Sequence, residues 1–463
     1  FTQRARIEFA LLGGLINSDA IDNSGGVDLS DHEVNLKILF AGLMQSGELT
    51  VEQRNKLLKE MATEVCEAVL DHNRGHALLL TQASLRSRQS IEHFQSLIRF
   101  LAKLGFVNRA LERLPDDEEM QDRGERNEGL VRPELAVCAA AVKMWVKEDL
   151  LASSLTDEPR LKPYLIQYFP TAVRERFPKA LQQHPLAANI IATEATNLFL
   201  EELGITFVHR MTSQLGCRTV SVVQSWLAAR ELVEAESLRE TLATLNHPHT
   251  SKQFVDGRIA LSDLLRSATA WLLTHHKESE TLEQLIAAHK VSWSEMLSTA
   301  TTVLSAEDLA IVKKSCGDYE RVGLSNAAAS RVAVLPIIPS LFDIVWNAHL
   351  AQRGFVEVAQ ITARVADELC PAELLRTSRL PAARGKWERE VLQSALDEIR
   401  RNIGRISAQL LATNLAPEQV SAQLKNLSGN ERVRSVVEEL RSGGCEVAGL
   451  AVLGRALTAI AHV

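Results

Sequence analysis

Apolar residues recur at three- and four-residue intervals along most of this chain, and that period predicts helices. Ile91, Phe94, Ile98 and Leu101 form one such stripe, and Gly105 stands where a helix-ending glycine belongs. Pro133 is placed to open another helix from its first turn, with Glu134 at the favourable end of the macrodipole. Similar stripes run through residues 189–203, 219–243, 258–276, 282–302 and 341–369. The longest helix is expected over residues 386–411. There Leu392, Leu396, Ile399, Ile403, Ile406 and Leu410 alternate spacings of four and three, a heptad seam. Two readings stay open for it: a long helix packed in a bundle, or a helix that pairs with another subunit. Trp145, Trp226, Trp271, Trp293, Trp346 and Trp387 lie on such stripes and are expected in the core. Strand signals are scarce. Residues 6–12 and 14–21 read as short extended pieces, the first alternatively as helix, and residues 258–261 are too few to decide.

Two segments interrupt the periodicity. Residues 112–129 are charged, poor in apolar residues and carry Pro115, Gly124 and Gly129, which predicts a loop or domain linker. The stretch 374–385 holds Arg376, Arg379, Arg384 and Pro381 and reads as a basic connector. No fixed repeat period marks a solenoid. A chain of 463 residues allows roughly two to four domains.

Charge and composition narrow the partners. Lys plus Arg number 51 against 58 Asp plus Glu, a net charge of −7, too mild and of the wrong sign for a general polyanion binder. Aromatic residues make up only 5%, and no basic-aromatic stretch resembles a base-stacking platform, so nucleic acid is not an expected partner. Cys66, Cys138, Cys217, Cys316, Cys370 and Cys445 are widely spaced and form no Cys-x-x-Cys pair. That favours a reducing compartment and a cytoplasmic location. No signal peptide opens the chain. The apolar run 332–342 is far short of the roughly 20 residues a membrane span needs, and Pro336 and Pro339 interrupt it. No membrane partner is expected. Residue 1 is Phe, so the chain reads as the C-terminal part of a longer polypeptide.

The stretch from Asp19 to Glu33 carries the most chemistry. Gly25-Gly26 suits a turn with positive φ or a close backbone approach. Ser30 and Glu33 have capping-box spacing, with Ser30 as N-cap and Val34, Ile38 and Ala41 on the buried face of the helix that follows. Amides at such a helix start suit an anion, for example a carboxylate, and a serine hydroxyl can cap and bind a ligand at once. Asp22 and Asn23 read as turn formers, or Asn23 offers its amide to a cofactor. The histidine pairs His247/His249 and His275/His276 lack carboxylate or cysteine company at a ligand spacing, so no metal site is assigned. No nucleophile elbow, Walker loop or His-Glu-x-x-His motif is present.

Residues 13–39, GGLINSDAIDNSGGVDLSDHEVNLKIL, resemble the large bacterial NAD-specific glutamate dehydrogenases. The likeness continues in Gly129-Leu130-Val131-Arg132-Pro133-Glu134-Leu135-Ala136-Val137 and Tyr168-Phe169-Pro170. It runs on through His184-Pro185-Leu186, Ile190-Ile191-Ala192-Thr193, Thr206-Phe207-Val208 and residues 335–345. Leu15 and Leu29 depart from it, where the family has a basic residue and a cysteine.

The resemblance implies oxidative deamination of L-glutamate to 2-oxoglutarate and ammonia, with NAD as cofactor. Asn23, Gly25, Gly26, Val27 and Ser30 match the family pattern Asn-x-Gly-Gly-Val-x-x-Ser. It places Asn23, Gly25 and Gly26 near the nicotinamide end of NAD. Val27 would line the substrate pocket and Ser30 would bind the distal carboxylate. The family's catalytic lysine and aspartate, like its dinucleotide-binding glycine loop, lie upstream, so no catalytic residue is assigned here and the chain alone is expected to be inactive. The implied fold class is mainly α: a multi-helix C-terminal domain following the tail end of an α/β dinucleotide-binding catalytic domain. Expected boundaries are 1–110 for the end of the catalytic region, 111–130 for a charged linker, and 131–463 for a helical extension with a split near 305–335. A homo-oligomer is expected. The rival reading is a non-catalytic helical module for oligomerisation or regulation, motivated by the seam from Leu392 to Leu410.

Overall fold

The computed structural model describes residues 1–275, 280–370, 374, 385–413, 419–425 and 429–461. Among them every regular element is helical and no strand occurs. Residues 6–12 and 14–21, read as extended or ambiguous, fall instead on α1 (Gln3–Leu11), a loop, and the short α2 (Asp19–Asp22). Thr2 settles the first of these by capping: its hydroxyl accepts from the Ala5 amide.

Onward come α3 (Ser24–Gln45), α4 (Val51–Gln89), α5 (Ile91–Leu104), α6 (Asp117–Glu125) and α7 (Arg132–Leu151). Three short helices follow, α8 (Lys162–Tyr168), α9 (Thr171–Arg176) and α10 (Pro178–Gln182). Then come α11 (Ala187–Leu203), α12 (Phe207–Leu215), α13 (Thr219–Leu232), α14 (Ala235–Ala243) and α15 (Ser251–His275). The chain continues with α16 (Leu282–Thr299), α17 (Ala306–Arg321), α18 (Asn326–Ala333), α19 (Phe342–Ala351) and α20 (Phe355–Leu369). It closes with α21 (Gly385–Ala412), α22 (Val420–Lys425), α23 (Asn430–Gly443) and α24 (Val447–Ala461).

These helices form two compact units, Phe1–Leu227 with Leu272–Thr274, and Ala228–Trp271 with His275–Val463. The charged segment 112–129 lies inside the first unit, and much of it is α6. Asp116 caps that helix on the Glu119 amide, and Asp117, Glu118 and Glu119 crowd its first turn, where the macrodipole favours acids. Charge that reads as a linker is here helix-start chemistry.

In the first unit α3 and α4 form an antiparallel pair, with Leu36, Leu39, Phe40 and Leu43 of α3 buried beside Leu57, Met61, Val65 and Val69 of α4. At 39 residues, α4 is about 58 Å long. A capping box of Thr50 and Gln53 starts it. The predicted stripe of α5 buries Phe94, Ile98 and Leu101, and Gly105 ends the helix at φ 83°. α7 and α11 pack together, and Trp226 donates to Glu202 at 2.7 Å inside the same core.

In the second unit Leu396, Ile399, Ile403, Ile406 and Leu410 of α21 are buried in one apolar cluster with residues of α20, α23 and α24, and Leu392 is half-buried against it. The heptad seam therefore packs within its own unit, as the bundle reading expects, and those side chains offer no face to a second subunit. Trp387, expected in the core, is 76% exposed at the N-terminal end of α21, beyond the buried part of the stripe. The basic connector read at 374–385 lies outside the described residues except for Leu374 and the helix-opening Gly385. No single described helix is long and apolar enough to cross a membrane, and the apolar run 332–342 bends by 69° between α18 and α19.

His289 of α16 lies in an aromatic nest, with ring centroids 5.4 Å from Trp271 and 5.9 Å from Trp346. It is 3% exposed. Burial pushes its pKa down to about 4; His349 and His275 push the same way and Glu280 opposes them. An unfolded histidine titrates near 6.5, so as pH falls the unfolded chain takes up the proton first. The stability tied to neutral His289 is intact above about pH 6.5 and is lost between there and about pH 4, by up to roughly 3 kcal/mol. Replacing His289 with Phe is expected to flatten that acid loss in urea melts at pH 7 and 4.5. An equal loss in both proteins would show that His289 is not its source.

Candidate functional site

The helix start expected at Ser30 lies seven residues earlier. Asn23 is the N-cap of α3, so Gly25 and Gly26 occupy its first turn and Ser30 its interior. Neither glycine has positive φ. No helix breaker stands between Ser24 and Glu33 apart from the two glycines, and a first turn tolerates glycine better than a helix interior does. Glu33, the expected capping partner, pairs with Lys37 one turn on. The amides that favour an anion are therefore those of Ser24 and Gly25, and Ser30 retains only its hydroxyl.

Side chains hold this start in place. Buried Arg6 of α1 bonds Asp22 at 2.7 Å, Asp19 at 2.9 Å and the Asn17 carbonyl at 3.0 Å, which fixes α2 and the approach to α3. Asn73 of α4 donates to the Ile21 carbonyl and the Ser24 hydroxyl, both at 2.9 Å.

At 100° per residue, Asn23, Gly26, Val27 and Ser30 share one stripe along α3. All four are exposed, as is Gly25. A Cβ on Gly25 would meet nothing within 4 Å, whereas one on Gly26 would meet the Asn23 carboxamide at 2.8 Å. Of the five predicted site residues, the structure thus brings Asn23, Gly26, Val27 and Ser30 onto one solvent-facing strip, with Gly25 beside it at the helix start.

The flank of α3 beside this strip, from Ser24 through Asp28 and Asp31 to Asn35, borders a cavity of about 500 Å³, lined by α3, α4, α7, α8 and α11. Val27 belongs to both strip and flank. At the cavity His72 bridges two carboxylates, Asp28 at 2.9 Å through Nδ1 and Glu194 at 3.3 Å through Nε2. Burial alone would lower the His72 pKa; the bonds to Asp28 and Glu194 reverse that and raise it to about 10. One turn along α4, His76 accepts from Lys143 at 3.2 Å. Burial and the lysine charge hold His76 neutral, down to about 3. Burial lowers the pKa of Lys143 too.

His32 packs beneath this row, its ring stacked 4.3 Å from Tyr168 and 5.6 Å from His72. Asn35 donates to the Tyr168 hydroxyl at 2.9 Å. His184 accepts from the Leu186 amide at Nδ1, so its Nε2 donates to the Asn35 carbonyl at 3.1 Å.

The segment from Gly129 to Glu134 is a structural clasp. Gly129 lies so close to α4 that a Cβ there would meet the Arg88 amide nitrogen at 2.9 Å. Arg132 reaches the Asn17 carboxamide at 2.7 Å, the Thr81 hydroxyl at 2.9 Å and the Ala77 carbonyl at 3.1 Å. Pro133 stands in the first turn of α7, and the Glu134 carboxylate accepts from the Val131 amide at 2.8 Å. The same carboxylate forms a bidentate pair with Arg123 of α6, at 2.8 and 3.0 Å. Both partners are buried.

Sequence reasoning passed over Asp28, His32, His72, His76, Lys143 and Glu194. A signal was present. Asp28/His32 and His72/His76 are both four apart, the spacing that puts two ligand-type side chains on one helix face. Nothing in the sequence says that these two faces meet. Of the histidine pairs that the spacing singled out, His247 and His249 lie with ring centroids 5.2 Å apart, and His276 falls outside the described residues.

The matches to known proteins run along the same two stretches. Residues 127–459 match the family of the glutamate dehydrogenase C-terminal region, and the chain belongs to that family. Residues 1–83 match the bacterial NAD-glutamate dehydrogenase catalytic domain. Similar proteins are the NAD-specific glutamate dehydrogenases of Halomonas elongata (30% identical over 96% of this chain), Mycobacterium tuberculosis (31% over 98%) and Pseudomonas aeruginosa (29% over 100%). The chain spans 28–29% of the length of those relatives.

Proposed function

We propose that this chain works as the C-terminal part of an NAD-dependent glutamate dehydrogenase, and that the outer stripe of α3 forms one wall of its active site. The observation that carries the reading is the stripe itself. Asn23, Gly26, Val27 and Ser30 are exposed together, and Gly25 leaves open space beside first-turn amides. A backbone free of Cβ atoms at the positive end of a helix fits an anionic or carboxamide-bearing ligand such as NAD. When bound, NAD supplies the hydride acceptor.

In this reading Asn23, Gly25 and Gly26 hold the nicotinamide end of the cofactor. Val27 packs on the aliphatic part of glutamate, and Ser30 donates its hydroxyl to the distal carboxylate. Ser30 lies about 7.5 Å further along the helix axis than Gly25, which separates cofactor and carboxylate along one strip. The lysine and aspartate that move protons come from outside this chain. The substrates are L-glutamate and 2-oxoglutarate, and the helical second unit supports the enzyme's architecture.

Gly25→Val tests this. In the isolated chain stability should hold within about 0.5 kcal/mol, because a Cβ at this exposed position meets nothing within 4 Å. In the full-length enzyme kcat/KM for glutamate should fall at least about tenfold. A normal kcat/KM would remove the start of α3 from the active site.

A further inference from the structure

We propose that Asp28, His32 and His72 form a binding site for a first-row transition-metal ion such as zinc, with its remaining coordination position open to the cavity. This site is separate from the outer stripe of α3. It does not depend on the glutamate dehydrogenase reading.

The three residues come from facing stretches of α3 and α4, and one ligand atom from each lies within 4.8 Å of the others. Ligands around a tetrahedral ion stand about 3.3 Å apart when each bond is 2.0–2.2 Å. Asp28 and His72 are already as close as that, at 2.9 Å, and His32 stands within the same 4.8 Å group, from which a bound ion would draw it inward. Two imidazoles and one carboxylate suit zinc, iron or cobalt and not calcium or magnesium, which prefer all-oxygen sets.

His32 supplies the independent observation. It is 1% exposed, and its Nε2 is buried with no hydrogen-bond partner. A polar nitrogen buried in that state is costly unless something binds it.

Glu194 completes the geometry. It pairs with His72 Nε2 at 3.3 Å, which leaves Nδ1 for the ion and orients the ring, as carboxylates behind metal-bound histidines do. The ion takes the place of the proton that His72 Nδ1 shares with Asp28. That proton leaves to solvent, and no redox change is involved. Three protein ligands leave a position for water or a small ligand from the cavity side.

The test is calorimetric titration of zinc chloride alone into the chelator-stripped 463-residue chain, with cobalt(II) absorption as a second probe. One equivalent should bind, with four-coordinate cobalt bands. Asp28→Asn and His72→Gln, which keep polar side chains of similar size, should each weaken binding at least about a hundredfold, and Glu194→Gln about tenfold to a hundredfold. His247→Ala should leave binding unchanged. Absence of stoichiometric binding would overturn the proposal, as would undiminished binding in the Asp28 and His72 variants. If either variant fails to give a cooperative melt, histidine ring-nitrogen NMR of the unaltered chain decides. Zinc must shift two imidazoles, His32 and His72, and a shift at other histidines alone would overturn it. Loss of glutamate turnover in the Gly25 variant has no bearing on this result, so the two readings fail separately.

Discussion

Replacing Arg123 with alanine is expected to destabilise the first unit by about 3–5 kcal/mol. Arg123 is 3% exposed and Glu134 1%, so truncation strands a carboxylate away from water. Glu134 would keep only the Val131 amide as a strong partner. Burial alone would lower the pKa of Arg123, and its bonds to Glu134 and Glu119 raise it instead, so the guanidinium is the charge that balances this pocket. For a unit of this size each kcal/mol moves the melting midpoint by about 2–4 °C, which puts the expected drop at roughly 6–20 °C. The double variant Arg123→Met with Glu134→Gln should recover much of the loss, because it removes both charges while the amide can still accept at the helix start. Scanning calorimetry of the three proteins is sufficient. A drop below about 1 kcal/mol in the single variant would mean that water reaches the pair and the clasp is not dry.

In the full-length enzyme, Ser30→Ala is expected to raise the glutamate KM by roughly tenfold to a hundredfold with little change in kcat. The loss corresponds to one hydrogen bond to a charged group, about 1.5–3 kcal/mol. The structure makes this substitution cleaner than a capping role would. Ser30 lies in the interior of α3 and is exposed, so its removal deletes no cap, and alanine is the better helix former. Stability of the chain should therefore stay within about 0.5 kcal/mol, and steady-state kinetics reads binding alone. An unchanged KM alongside an unchanged melt would exclude Ser30 from the substrate site.

Much of the fold was legible in particular residues. The stripe of α5 and its closing Gly105 are where the spacing placed them, as are Pro133 in the first turn of α7 and the heptad side chains of α21. Periodicity reads well because a helix must bury one face, and the chain has enough apolar residues to mark it. The errors are also physical. Asp117, Glu118 and Glu119 look like a solvated linker, yet they suit a first turn, and the Arg123–Glu134 pair ties that helix down. Trp387 continues an apolar stripe past its buried part and is left largely exposed. Ser30 and Glu33 satisfy a local capping pattern, but Asn73 and Arg6 anchor the chain seven residues earlier, and a cap set by such distant partners leaves no local signature.

The helical class, most helix positions and the likeness to the large glutamate dehydrogenases are legible in the chain without its fold, because each rests on residues near one another along it. Tertiary structure decided where α3 begins and which of its faces is free. It also turned the Gly129–Glu134 segment into a clasp and gathered Asp28, His32, His72 and Glu194 at one cavity. Those outcomes depend on α3, α4, α7 and α11 meeting across up to about 170 residues of chain, and the pairing of buried faces that brings them together is not written in any local spacing.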